Sequence, residues 1–233
     1  MNLLTLIKIS WRNIWRNKLR SLVVIFSIVF GLLGGIIIIA MSYGLNEERM
    51  NNAVDTYLSH IQIHNNLFSE DYNIKHTINN LDIIEKTVSE DKRVVSYSKR
   101  IVLNGMLSNS NGSYGIQVKG IDPDEEIKVT NTHEKIIDGE YFRSKRDNTI
   151  LVGQKLADKL NLNLKSKVVI TFQDENYELT SLLYRVEGIF RSGNSRYDEM
   201  NVFVKNKSIT KNLPEFNGYH EMPILLSDIE LRG

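Results

Sequence analysis

Residues Ser21–Tyr43 read SLVVIFSIVFGLLGGIIIIAMSY, twenty-three positions without a charge or a proline. As an α-helix this stretch reaches about 34 Å, enough to cross a hydrocarbon core of roughly 30 Å with some tilt. Its β-branched residues are no obstacle, because in lipid the backbone must bond to itself and a helix does so. A buried core helix of a soluble protein is seldom this long without a polar position. The run is also too long for the apolar region of a cleavable signal peptide, and no small-x-small site is well placed after it. The stretch therefore reads as a retained membrane helix.

Its flanks set a direction. Lys8, Arg12, Arg16, Lys18 and Arg20 precede it with no acid among the first twenty residues, and Glu47, Glu48 and Arg49 follow. An excess of bases on one side predicts a cytoplasmic N-terminus, and everything from about Gly44 onward then lies outside the cytoplasm. The formal net charge of +1 hides a split, since the first twenty residues hold +5 and the remainder −4. A mildly acidic bulk offers no nucleic-acid footprint. With no cysteine, disulfides and thiolate metal sites are excluded. About 190 residues follow the span, room for one domain or for one domain built of two lobes.

Residues 2–19 predict a shorter amphipathic helix. Leu4, Ile7, Trp11, Ile14 and Trp15 fall three or four apart, and Lys8, Arg12, Arg16 and Arg20 form a basic stripe beside them. Trp-Arg-Asn occurs at 11–13 and again at 15–17, so Trp11, Arg12, Trp15 and Arg16 are the candidate membrane-interface residues, indoles at the headgroup level and guanidinia on anionic lipid. A plainer reading is a basic run that only enforces topology. Within the span, Gly31 and Gly35 make a GxxxG spacing that permits close helix packing.

Beyond the span the polar stretch 44–56 continues the helix, and Leu58–His64 alternates as a strand. His60 and His64 share one face of it, too far apart to chelate a metal by themselves. Ile78–Val88 reads as a helix capped by Asn79 or Asn80, and Val94–Leu107 as one long strand. The turn SNSNGS at 108–113 returns the chain into a strand over 114–121. Asp122-Pro-Asp-Glu-Glu126 suggests a solvated turn opening a helix, more readily than a cation site. Residues 128–146 look irregular. Ile150–Val152 predicts a buried strand, 153–160 a helix with Leu156 and Leu160 inward, and 168–172, 183–190, 201–204 and 223–226 further strands, with a short helix near 207–213. Gly188 and Gly193 are not a phosphate loop, because no Lys-Ser/Thr follows. No Ser-His-Asp, Cys-His or paired-carboxylate arrangement stands out, so no catalytic, cofactor or metal residue is assigned and no enzyme is expected.

Taken in order, several stretches resemble the N-terminal half of an ABC-transporter permease of the MacB/FtsX superfamily, nearest to the lipoprotein-releasing LolC/LolE type. They are Arg16–Ser21, Asn104–Ser108 with Val118–Pro123, Gly139–Phe142, Ile150–Leu160, and Val186–Gly193 with Tyr197-Asp198. The resemblance implies an α+β fold, one transmembrane helix followed by a mixed α/β extracytoplasmic domain. It further implies a porter lobe at about 50–125 and 200–233 and a mainly β sabre lobe at about 126–200. It implies four membrane helices, of which this sequence holds the first, so a truncated or fragmentary product is expected. The implied partners are an ABC ATPase that binds ATP on a separate chain, an identical or homologous permease subunit, and a lipoprotein or lipid-like cargo. The implied location is the bacterial inner membrane with a periplasmic domain. The alternative is a single-span adaptor or signalling protein whose outer domain binds a protein partner.

Overall fold

The computed structural model describes residues 3–227, in two units, Met1–Met50 and Asn51–Gly233. α1 (Leu3–Arg16) and α2 (Lys18–Ala53), of which all but the last three residues belong to the first unit, are separate helices that break at Asn17. The expected helix over 2–19 therefore ends three residues earlier, and residue 2 lies outside the described residues. The span sits inside α2, which is long and apolar enough to cross a membrane. Its large side chains from Leu22 to Met41 are exposed, an arrangement that suits lipid and would be costly in water. The Ser27 hydroxyl within the span donates to the Val23 carbonyl at 2.8 Å, so this polar group brings its own acceptor.

The second unit is a mixed α/β domain. It opens with a π-helical turn, Val54–Leu58, after which Ser59 takes φ 63° and redirects the chain into β1 (Ile61–His64). The strand expected from Leu58 thus starts later, because the helix continues through it. After α3 (Asn66–Asp71) and α4 (Leu81–Glu90) comes a second departure. The predicted strand 94–107 is two strands, β2 (Val94–Tyr97) and β3 (Ile101–Asn109), in different sheets. Asn80 occupies the cap position of α4 but adopts φ 54° and makes no side-chain cap.

β3 pairs with β4 (Gly112–Ile121) through nine residue pairs, closed at a tip where Asn109 Oδ1 accepts from Asn111 N and Gly112 N. α5 (Pro123–Glu126) follows, with Asp122 capping Asp124 N at 3.0 Å and Pro123 in the first turn, where its missing N–H costs nothing. The stretch expected to be irregular contains β5 (Ile136–Gly139). Then come β6 (Thr149–Gly153), α6 (Gln154–Leu160), β7 (Lys167–Gln173), β8 (Leu179–Phe190), α7 (Ser195–Met200), β9 (Asn201–Lys205), α8 (Asn206–Asn212) and β10 (Glu221–Leu226).

The larger sheet runs β5-β8-β6-β9-β4-β3-β7, and β7 pairs again with β8. Six of its strands therefore close into a barrel. β8 makes closure possible by its length: its first half pairs with β7 and its second half with β6, a bulge falling at Glu187. The interior is apolar, with Leu103, Leu107, Val118, Ile150, Val152, Ile170 and Val202 in one cluster to which α6 adds Leu156 and Leu160 and α8 adds Ile209. β7 shows the alternation that produces this, its Val168, Ile170 and Phe172 buried between more open neighbours. The barrel draws β3, β4 and β9 from segments assigned to the first lobe and β6–β8 from those assigned to the second, with β5 added outside it on β8.

Gly139 and Gly188 are fixed by the approach of β5 to the bulge. A Cβ at Gly139, where φ is +82°, would lie 2.2 Å from the Glu187 carbonyl, and one at Gly188 would lie 2.8 Å from that of Glu140. The smaller sheet, β1-β10-β2, is antiparallel and buries Met222, Ile224 and Leu226 with Ile78 and Val88.

Candidate functional site

The most heavily bonded polar centre of the second unit is built around the π turn. A helix end leaves its last carbonyls without partners, and burial demands that they find them. Three successive carbonyls here are met by two segments distant in sequence, the pair Asn131-Thr132 and Arg100. Asp55 O accepts from Asn131 N at 2.9 Å, Thr56 O from Thr132 Oγ1 at 2.6 Å, and Tyr57 O from Arg100 Nη1 at 2.8 Å. Ser59 Oγ then donates to Ile224 O at 2.8 Å, which ties the redirected chain to the central strand of the small sheet.

Arg100 sits where the chain leaves β2 and enters β3. Its backbone bridges Glu221, donating N–H to Glu221 O at 2.8 Å and accepting from Glu221 N at 3.2 Å. The side chain is fully buried and forks onto Glu126, Nε to Oε2 at 3.1 Å and Nη2 to Oε1 at 2.5 Å. Glu126 is 1% exposed and also accepts from Ser98 Oγ at 2.7 Å and Thr130 Oγ1 at 2.9 Å. Four hydrogen bonds on one buried carboxylate, two of them charge-assisted, make the pair worth its desolvation. Burial opposes both charges, yet Arg100 holds the Glu126 carboxyl below its ordinary value, and Glu126 holds the Arg100 guanidinium above its own. The acidic run was expected to be solvated; its last member is instead a core residue, because α5 turns Glu126 inward while Asp122–Glu125 stay nearer the surface.

An aromatic stack closes the centre. Tyr57 and Tyr197 lie face to face with centroids 3.9 Å apart, and Asn194 Nδ2 donates to the Tyr57 hydroxyl at 3.3 Å. Asn194 also caps α7, accepting from Arg196 N and Tyr197 N, while Asp198 Oδ1 accepts from Ser192 N and Ser192 Oγ. The Ser192–Asp198 stretch is therefore a device that presents Tyr197. Lys119 is buried with its ammonium 5.2 Å from the Tyr197 ring centroid, and burial lowers its pKa. Burial raises the Tyr141 and Tyr197 phenols, which stay neutral. Together these groups hold a chain segment.

The residues singled out from sequence lie elsewhere. Trp11, Arg12, Trp15 and Arg16 are on α1, where Trp11 and Trp15 are exposed with rings 6.2 Å apart and Lys18 sits 5.9 Å from the Trp15 ring. Gly31 and Gly35 are on α2 with open space where a Cβ would stand. His60 accepts from Leu226 N at 3.1 Å, and His64 is exposed beside Asn65. Among the described residues no group of three metal-ligating side chains converges. Arg100 and Glu126 escaped sequence reading, although an arginine amid YSKRIVL carried the signal of a charge that must find a buried partner.

No protein-family model matches the chain, and neither does any curated protein. Among solved structures, the chain is similar to the extracellular domain of the noncanonic ABC-type transporter YknZ from Gram-positive bacteria, at 15% identity and a TM-score of 0.46, covering 69% of this chain and 80% of that one. It is also similar to the periplasmic region of MacB from Actinobacillus actinomycetemcomitans, at 16% identity and a TM-score of 0.48, covering 72% and 73%.

Proposed function

We propose that this chain is a permease subunit, or part of one, of an ABC transporter of the MacB/FtsX type. Its N-terminus is cytoplasmic, α2 crosses the inner membrane and the mixed domain is periplasmic. The observation that carries the reading is the bonding of the π turn. The turn follows α2 directly in the chain, and three successive carbonyls, a serine and a tyrosine fix it to the domain, one of the carbonyls through Arg100 of the buried ion pair. A chain segment held this firmly passes force instead of yielding to it, which a transporter that moves its outer domain requires. The ordered motifs from Arg16 to Asp198 support the same reading.

ATP hydrolysis is assigned to a separate ATPase subunit and the chain itself is non-enzymatic. Its permease partner is an identical or homologous subunit, and its cargo a lipoprotein or another amphiphile taken from the membrane. Purification of a tagged copy from its native membrane, with mass spectrometry of what accompanies it, tests this. An ABC ATPase is expected, with lipids or lipoproteins alongside. A stable periplasmic enzyme or receptor without any ATPase would overturn the reading in favour of a single-span adaptor.

A further inference from the structure

A second feature of the domain is independent of the permease reading. On the outer face of the barrel, α7 and Tyr72 flank a groove of about 640 Å³, within the range of small-ligand sites. Its floor is a row of amides. Asn104 on β3 lies opposite Gln117 on β4, and Gln117 lies opposite Asn201 on β9. Direct partners in a sheet share a face, so the three amides stand side by side at a pitch of about 4.8 Å. One step along, Met106 faces Gly115. A Cβ at Gly115 would meet nothing within 4 Å, so the floor is open there.

The row has unused hydrogen-bonding capacity. Among the described residues the side chains of Asn104 and Gln117 make no hydrogen bond within the protein. Asn201 is 7% exposed and donates Nδ2 to Tyr197 O at 3.0 Å, which leaves its Oδ1 buried without a partner. A buried amide oxygen with no donor is the kind of exception that marks a missing group. The missing group must donate a hydrogen bond, and its neighbours on the row can both donate and accept.

The lining narrows the ligand class. It holds no carboxylate, so it does not suit a cation, and its one base, Arg196, is too little for a polyanion. The Asn–Gln–Asn row lies inside the sheet, where the main-chain groups of β4 are engaged by β3 and β9, so an extended peptide finds no edge to augment. What remains is an uncharged ligand rich in hydroxyls with a flat apolar face. Tyr72 offers the complement to that face, a half-exposed ring backed edge-on by Phe68 with centroids 5.2 Å apart. We propose that this groove binds a neutral oligosaccharide, its ring seated against Tyr72 and its hydroxyls on Asn104, Gln117 and Asn201.

The test uses the full chain in lipid nanodiscs, free of glycoside detergent, titrated calorimetrically with cellopentaose, with penta-N-acetylchitopentaose and with a neutral peptide of similar length. Saturable submillimolar binding of at least one sugar is expected. Gly115→Leu fills the floor and weakens that binding by about tenfold or more, while Asn104→Ala and Gln117→Ala each weaken it several-fold. A Cβ at Gly115 meets nothing within 4 Å, so thermal unfolding of Gly115→Leu is expected to match the wild type, and with that match the loss is a loss of site. Absence of saturation by both sugars overturns the proposal. So does unchanged affinity in Gly115→Leu, or preference for the peptide.

Discussion

Replacing Arg100 by leucine removes one end of a buried ion pair and keeps much of the volume. The Glu126 carboxylate is then left 1% exposed with only Ser98 and Thr130 as donors, and Tyr57 O loses its partner. Breaking a buried pair from one side costs roughly 3–5 kcal/mol. The stranded carbonyl adds about 1–3 kcal/mol. In a domain of this size each kcal/mol lowers the melting temperature by about 2–4 °C, so the ion pair alone predicts a drop of roughly 6–20 °C. The assay is thermal unfolding of the full chain in nanodiscs, followed by circular dichroism in the strand band, which reports the β-rich unit. The double variant Arg100→Leu/Glu126→Leu separates the two contributions. Two apolar residues replace the pair at little net cost, so it regains most of the loss and retains that of the uncapped Tyr57 and of the Ser98 and Thr130 hydroxyls that lose their acceptor. A single variant that melts within about 2 °C of the wild type, or a double variant no better than the single, would refute the role given to this pair.

Four further outcomes follow from the geometry. Glu126 has a depressed folded pKa, so its stabilisation is complete above the ordinary carboxylate value and is lost as pH falls through the folded one; acid melts should show this step, and Glu126→Gln should remove it. His220 accepts from Val102 N at 3.0 Å through Nδ1 and meets Ile74 O at 2.9 Å through Nε2, and burial lowers its pKa. The neutral ring is the folded form, so stability declines as pH drops below about 6.5, with His76 and Glu221 as the nearby charges, and His220→Asn flattens that decline in urea titrations. Gly139→Ala forces a Cβ onto the Glu187 carbonyl at positive φ and should cost more than about 1 kcal/mol by denaturant unfolding, against a few tenths for Gly115→Ala. Because the sequence holds no cysteine, single Ser89→Cys and Ser10→Cys variants can be labelled with a membrane-impermeant maleimide; under the proposed orientation only the first should react from outside intact spheroplasts, and the reverse pattern would overturn that orientation.

What the sequence disclosed followed from periodicity. The uncharged run fixed the span, and alternation located β6–β9, because residues such as Ile150 and Val152 or Val202 and Val204 face one interior. What it hid was long-range. Val94–Leu107 looks like one strand because each half is locally β-forming, and nothing nearby shows that Ser98–Arg100 must turn from one sheet into another. Closure of the barrel depends on β8 serving two partners in succession, which its own composition does not reveal. The centre at Arg100 and Glu126 was illegible for the same reason. Its two members are twenty-six residues apart, and each alone passes for an ordinary surface charge. The amide row is a fourth instance: Asn104, Gln117 and Asn201 become neighbours only through strand register.

The small sheet has its latest strand in the middle. β10 lies between β1 and β2, so Ile61 waits for Ile224, and Arg100 waits for Glu221. During synthesis, residues 61–100 emerge with no sheet to join, and the loop that must close spans most of the domain. The sheet cannot form by stages. It is completed in one step by the arrival of residues 221–226, and until then β1 and β2 are open edges available to a chaperone or to a second copy.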